Sequence, residues 1–427
     1  MTIFSKKRLD RSRRAIAFGL LAVATSPSLA ELRQEFGGHV KSRIVGQFVP
    51  TDSVLHGLTG SASFDLENDL RINYKASSGR WGVDAAYQVF ALYGDRVDYS
   101  RDLAAALSPG RLQSDDRRWL QLTSVVEDDG KFAVVHRIDR ASIDYKSPNI
   151  VLRFGRQAIS WGNGLFFSPL DIVNPFDPTV IDTEYKAGDD MLYGQYLFDN
   201  GDDVQAAYVV RRDLLSGDVD SSQATAAIKY HRMIGDGEID LLVAKSFDDY
   251  TLAIGGNLGV GGAVLRGDLV VTDTEDGLEG QLVANYSYSW MWGERNISGA
   301  VEYFYNGFGQ PGGAYSPAEL AENPELLRRV ARGDLFSLGR HYLAGSLSIE
   351  MTPLWLLVPT VFANLQDPSG FLQIISQNDL RQNLTFLGSI NVPVGASGTE
   401  FGGIDSGIPG AYFSTDLSVF AQFAWYF

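Results

Sequence analysis

The charged residues between Arg153 and Asp190 are the part of this chain best suited to chemistry. Arg153 and Arg156 lead, and Asp171, Asp177, Asp182, Glu184, Asp189 and Asp190 come after them, against the single Lys186. Guanidinium groups facing carboxylates across a water-filled space create a transverse field that orients a passing solute. Such a set guides molecules without making or breaking bonds. Calcium would need a D-x-[DN]-x-[DN]-G spacing, which these acids lack, so they read as solvated or pore-facing charge and not as a metal site. The five histidines, His39, His56, His136, His231 and His341, form no H-E-x-x-H pair. None sits in sequence beside a nucleophile motif. Cysteine is absent, which excludes a disulfide framework, a thiolate zinc site and a cysteine nucleophile. The glycines from Gly255 to Gly262 precede no helix, so they do not cradle phosphate. No enzyme activity and no cofactor are expected.

Something rigid must position those charges. Gly162, Gly164, Pro169, Pro175 and Pro178 give the stretch a stiff path of turns, neither strand nor helix. Its apolar Leu165, Phe166, Phe167, Leu170, Ile172, Val173 and Phe176 call for burial. On either side the chain alternates. From Gln281 to Trp292, Leu282, Ala284, Tyr286, Tyr288, Trp290 and Trp292 share one face, while Gln281, Asn285, Ser287 and Ser289 share the other. The pattern returns at Ile297–Tyr305, at Leu380–Val392 and at Phe64–Lys75. These runs of roughly 10 to 13 residues match the length that crosses a bilayer as a tilted strand. Strands of soluble sandwiches are usually about half as long. Turn signals stand at Asp199-Asn200-Gly201, Gly235-Asp236-Gly237, Gly259–Gly262, Asp367–Gly370 and Asn378-Asp379. The expected fold class is all-β: a transmembrane antiparallel β-barrel of about 16–18 strands with long extracellular loops. Residues 36 to 48 and 94 to 145 leave the count open by one or two.

Inward parity assigns Asp65, Glu67, Asp69, Asp84, Asp268, Glu302, Glu350 and Asp416 to the lumen, against Arg71, Lys75, Arg153, Arg266 and Arg381. Acid leads, so a mild preference for cations or neutral solutes is expected. The pore-lining candidates are Arg71, Arg153, Arg156, Asp171, Asp177, Arg266, Asp268, Glu302 and Arg381. Ser316-Pro317-Ala318-Glu319 fits a capping box, and Asn323-Pro324 starts a second helix, so the 309–340 loop is expected to hold a short helix pair.

The whole chain carries a formal charge of −16, with 52 acidic residues against 36 Lys and Arg. The basic run Lys6–Arg14, an apolar Ala15–Ala24 and Ser28-Leu29-Ala30 read as a signal peptide over 1–30, followed by a barrel over 31–427. With those cations set aside the remainder is more acidic still. That excess argues against nucleic acid.

Two stretches carry a resemblance. The final residues, with Phe423, Trp425 and Phe427 on one face of a strand, resemble the terminal strand of Gram-negative outer-membrane barrels, whose last aromatic is part of the signal read by the barrel-assembly machinery. The segment Gly155-Arg156-Gln157-Ala158-Ile159-Ser160-Trp161-Gly162, leading into Asn174-Pro175-Phe176-Asp177, resembles a group of largely uncharacterised porin-like outer-membrane proteins of proteobacteria. The resemblance covers about 30 residues besides the last strand. It implies a barrel and a channel in the cell outer membrane, in contact with its lipid and lipopolysaccharide. With polar residues facing inward, the expected function is a passive diffusion channel for small hydrophilic solutes, in which residues 161–190 either fold into the lumen as a constriction loop or form an extracellular cap with solvated carboxylates. It leaves the solute and the oligomeric state open. The alternatives are a barrel dedicated to exporting a polysaccharide or other polymer, and a hydrolase with its site at the rim.

Overall fold

The computed structural model describes residues 31–103, 112 and 114–427, so the signal-like segment lies outside the described residues. The first strands are β1 (Arg33–Phe48), β2 (Ala62–Ser78), β3 (Trp81–Gly94), β4 (Thr123–Asp129), β5 (Phe132–Lys146), β6 (Ile150–Gln157) and β7 (Asp189–Leu197). Next come β8 (Asp203–Val209), β9 (Thr225–Ile234), β10 (Gly237–Ser246), β11 (Asp249–Val260), β12 (Ala263–Thr274), β13 (Gly277–Trp292) and β14 (Arg295–Asn306). The last are β15 (His341–Thr352), β16 (Trp355–Asn364), β17 (Ser369–Arg381), β18 (Leu384–Val394), the two-residue β19 (Ile404–Asp405) and β20 (Tyr412–Phe413), and β21 (Ser418–Tyr426). Each wall strand pairs antiparallel with the next, and β21 closes the ring on β1, with Val40 opposite Trp425. The closed wall has 18 strands.

Alternation decides what each face meets. Leu241, Val243, Leu252, Ile254, Leu265 and Leu269 are exposed on the outside, while their neighbours Leu242, Ala244, Ala253 and Asp268 are buried inside. An apolar outer belt around a closed ring is the solution hydrocarbon permits, because every backbone polar group is paired within the wall. The fold is a closed antiparallel β-barrel with the apolar outer face of a transmembrane barrel. Short turns join the strands at the end holding both ends of the described barrel, such as 235–236, 261–262 and 293–294; the opposite end carries the long loops. By the usual asymmetry the short-turn end is periplasmic. Trp81, Trp290, Trp292, Trp355 and Trp425 all belong to that ring of strand ends. The opposite ring of strand ends carries Tyr93, Phe132 and Tyr250 instead.

Asn378-Asp379 is not a turn, because β17 runs on to Arg381 and turns at 382–383. A register shift between Asp379 and Arg381 absorbs the extra residue. Residues 36–48 form most of β1, α1 (His56–Thr59) follows it, and 94–145 hide α2 (Asp95–Leu103) as well as β4 and β5.

One departure from a regular wall sets up the interior. β6 and β7 have 8 and 9 residues, against 15 in β5. They stop where Gln157 pairs Asp189. Above that level the wall is patched by the chain from Asp115 to Asp129: Arg118 bridges Arg211, and β4 pairs the first half of β5. Arg156 seals the seam, donating to Asp190 at 2.9 Å and to Asp115 at 3.0 Å. Gly155 permits the bend, with φ +119° and a Cβ position only 2.1 Å from the Ala141 carbonyl. Residues 158–188, between β6 and β7, therefore leave the wall at half height.

Ile254 faces outward near the middle of β11. Ile254→Arg is expected to destabilise the barrel by about 2–4 kcal/mol, measured by denaturant unfolding in lipid, and an unchanged stability would place that face away from hydrocarbon.

Candidate functional site

Residues 158–188 run around the inside of the barrel, tied to the wall at successive strands. Trp161 Nε1 donates to Gln205 on β8 at 2.8 Å. Asn163 donates through its backbone N and its Nδ2 to Asp268 on β12, at 2.7 and 2.8 Å. Leu165, Phe166 and Phe167 direct three successive backbone N–H groups at the Glu302 carboxylate on β14, at 2.6, 3.0 and 2.7 Å. Asn285 on β13 completes that site, donating to Glu302 at 3.0 Å. Further along, Gln373 on β17 donates to the Thr179 carbonyl, and Lys41 on β1 and Gln422 on β21 hold Asp182. Tyr426 donates to Glu184, the Arg71 guanidinium lies 4.2 Å from the Tyr185 ring, and Arg140 on β5 donates to the Lys186 carbonyl.

The wall makes room for the anchors. Gly255, paired with Asp268, would place a Cβ 2.1 Å from that carboxylate. The loop's apolar side chains pack inward: Trp161 and Leu170 join Leu242, Ala244 and Val270, while Phe167 stacks on Phe304 at 4.7 Å. From above, the 307–340 loop presses Phe308, Leu326 and Leu335 onto that second cluster. Its helices α3 (Pro317–Ala321) and α4 (Pro324–Arg332) start at Ser316, which makes the capping box with Glu319, and at Asn323. Glu400, in the 395–417 loop, accepts from Leu338 N, Tyr342 OH and Asn364 Nδ2, and burial pushes its carboxyl up to about 7.

Parity places Asp268 and Glu302 inside the wall, but both are buried loop anchors and present no charge to a solute. Asp171 pairs with Lys186 at 2.6 Å, Asp189 with Arg211 at 3.1 Å and Asp182 with Lys41 at 2.6 Å. Asp177 turns back to cap Thr179. The acidic field expected from residues 161–190 is therefore largely neutralised, because carboxylates held away from bulk water persist when paired. Arg156 does not face acids across the bore, since its partners lie beside it in the seam. Arg153 is half-buried and reaches Gln157 at 3.4 Å. Arg71 is buried beneath the loop, bound to Asp139 at 2.8 Å. Arg266 is half-buried and donates to Ser287. Arg381 is exposed at the periplasmic end of β17 and does not line the narrow part. Phe423, Trp425 and Phe427 are exposed, the first two on the outward face of β21.

Several groups escaped sequence reading. Arg137 and Asp139 of β5 join Asp69, Arg71 and Gln88 in the interior network. Their signal was an Arg-Ile-Asp alternation, broken where Ala86 pairs Arg140 but Tyr87 pairs Ile138, which makes Asp139 an extra residue and flips the face. Asp115 pairs locally with Arg118, but its seam partner Arg156 is 41 residues away and could not be read from spacing.

The anchored segment 163–168 separates two spaces along β14. On the outer side lies a cleft of about 90 Å3 against Phe304 and Gln281. On the periplasmic side Asn296, Ser298, Glu350, Gln377 and Asp379 line a polar vestibule of about 310 Å3. Of the described histidines, His39 contacts Asp69, His231 contacts Asp240 and His341 contacts Tyr303.

No family model and no curated protein matches this chain. Solved structures do. Wzi, an outer-membrane protein involved in group 1 capsule assembly in Escherichia coli and described as a carbohydrate-binding β-barrel, is similar with a TM-score of 0.52 at 10% identity, over 91% of this chain and 83% of that one. A BenF-like porin from Pseudomonas fluorescens Pf-5 is similar with a TM-score of 0.51 at 8% identity, over 92% and 98%. At such identities the likeness is one of fold.

Glu302→Gln keeps the side chain's shape but removes the charge that three N–H groups share. It is expected to cost about 1–3 kcal/mol in urea unfolding while the barrel remains heat-modifiable on a gel. A stability equal to that of the parent would mean that the loop is held elsewhere.

Proposed function

We propose that this protein is a narrow, loop-constricted channel that passes small hydrophilic solutes across the outer membrane, without a cofactor. The observation that carries the reading is the anchored segment 163–168, lying between an outer cleft and a polar periplasmic vestibule on the same strand. Barrels of this strand number enclose an aqueous lumen. Here the loop fills much of it, so passage would depend on a solute's fit and not on an open bore. Paired interior charges leave little net field, so selection by shape and hydrogen bonding suits the site better than selection by charge. That pairing argues against the cation lean inferred from parity.

A second reading has a specific observation behind it. The aromatic contact between the inner loop and the 307–340 loop, built on Phe167, Phe304, Phe308 and Leu335, closes the outer side with a dry core. A closed barrel that binds a polymer at its outer face would use such a seal, and Wzi is described as a carbohydrate-binding barrel.

Deleting Leu165 to Thr179 separates the two. The channel reading expects the deletion to raise single-channel conductance in planar bilayers, with the barrel still heat-modifiable. A parent with no conductance at any salt concentration, and a folded deletion that also fails to conduct, would favour the closed barrel.

A further inference from the structure

One carboxylate ties together three of the segments that cover the outer mouth. Glu400 stands in the 395–417 loop and accepts from the Leu338 N–H of the 307–340 loop at 2.7 Å. It also accepts from Tyr342 OH on β15 at 2.6 Å and from Asn364 Nδ2, at the outer end of β16, at 2.7 Å. Its own backbone N–H donates to Asp367, in the turn between β16 and β17, at 2.6 Å. Tyr315, Tyr342 and Asn364 are each 1% exposed, so the site is closed to water on those sides. The loop that Glu400 holds is the one whose Phe308, Leu326 and Leu335 rest on Phe167 of the inner loop.

No cation balances this site. Neither Glu400 nor Asp367 has an ion-pair partner within 4 Å among the described residues. Arg340, two residues after Leu338, gives its Nε to the Gly309 carbonyl, and His341 is bonded to Tyr303. Glu319 is closed on Ser316, and Asp52 of the 49–61 loop meets Ser397. Glu400 is thus left facing a second carboxylate and two phenols, those of Asp367, Tyr342 and Tyr315. A carboxyl sealed among such neighbours is easier to keep protonated than charged. Burial, with Asp367 beside it, lifts the Glu400 carboxyl to about 7 from the ordinary 4.5. The proton has a partner, because the Tyr342 hydroxyl can turn from donor to acceptor. The docked form therefore keeps a proton that the freed loop gives up at lower pH. Docking is at full strength below the ordinary carboxyl value of 4.5 and weakens as pH rises through the docked value of about 7.

We propose that the Glu400 cluster is an acid-closed latch: with Glu400 protonated, the 307–340 and 395–417 loops lock together over the outer mouth, and its ionisation loosens them. Asp367 is a positioning residue that acts through Glu400, holding its carboxyl in the protonated form. The latch does not depend on what the barrel passes. In a channel it sets how readily the mouth opens, and in a closed barrel it sets how firmly the outer seal is held.

Hydrogen exchange at the Leu338 amide of the intact barrel in detergent reads the latch directly, when expressed as protection relative to an unstructured chain at the same pH. Protection should fall about tenfold between about pH 6 and about pH 8, as linkage to a carboxyl shifted from 4.5 to about 7 requires. Wall amides such as Val283 should stay level. Glu400→Gln, which copies the protonated form, should keep Leu338 protected at both pH values. Asp367→Asn should shrink the fall, because it lowers the pH at which Glu400 ionises in the docked form. Both variants should remain heat-modifiable. Protection at Leu338 that stays level in the parent, or that falls in Glu400→Gln as it does in the parent, would overturn the proposal, and the parent's profile decides even where a variant fails to fold. Single-channel conductance over the same range separates this proposal from the channel reading: falling protection without any conductance keeps the latch and removes the channel, whereas conductance with level protection does the reverse.

Discussion

One buried carboxylate organises the interior. Glu302 accepts three successive backbone N–H groups from Leu165 to Phe167, a concave arrangement of amides that favours an anion. Buried and unmatched, that charge would be costly, as would three unpaired N–H groups. Together each removes the other's penalty. Asp268 repeats the arrangement one hairpin away, on the N and Nδ2 of Asn163. The loop is thereby fixed in height and direction at its start, and the later contacts depend on that placement: Phe167 stacks on Phe304, the outer loop settles on that pair, and Asp182 reaches Lys41 on the far wall.

The same economy explains the wall. A loop that enters the lumen at half height must leave its strands early, and a membrane barrel cannot tolerate the gap. The chain from Asp115 to Asp129 fills it, and the Arg156–Asp190–Asp115 cluster joins patch to wall. Breaking such a cluster by removing one partner strands a buried charge, which costs more than the pair itself contributes. The arginine of the Gly155–Gly162 motif is thus a wall fastener, and the glycine before it allows the bend.

Much of the fold could be read directly. Period-two alternation identified the strands from Gln281 to Tyr305 because lipid and water impose opposite demands on alternate residues. The Ser316 and Asn323 caps were legible because capping is local. The loop's lumenal path was suggested by Leu165, Phe166 and Phe167, whose apolar surface needed a partner. Pairing across the bore could not be read. Glu302 and its amides are about 135 residues apart, and parity gives a side without saying what stands there. For that reason Asp268, Glu302 and Arg71, assigned to the lumen as solute-facing charges, proved to be structural. The bulge at Asp139 hid β5 by a simpler route: one extra residue reverses every later face.

The account depends on the three amides that face Glu302. Residue-resolved hydrogen exchange of the barrel in detergent tests it most directly. The Leu165, Phe166 and Phe167 amides should be protected to the level of neighbouring strand amides such as Val283 and Phe304, and Glu302→Gln should release all three together while those strands stay protected. Rapid exchange at these three positions in the unaltered protein, as in a solvated outer loop, would contradict it.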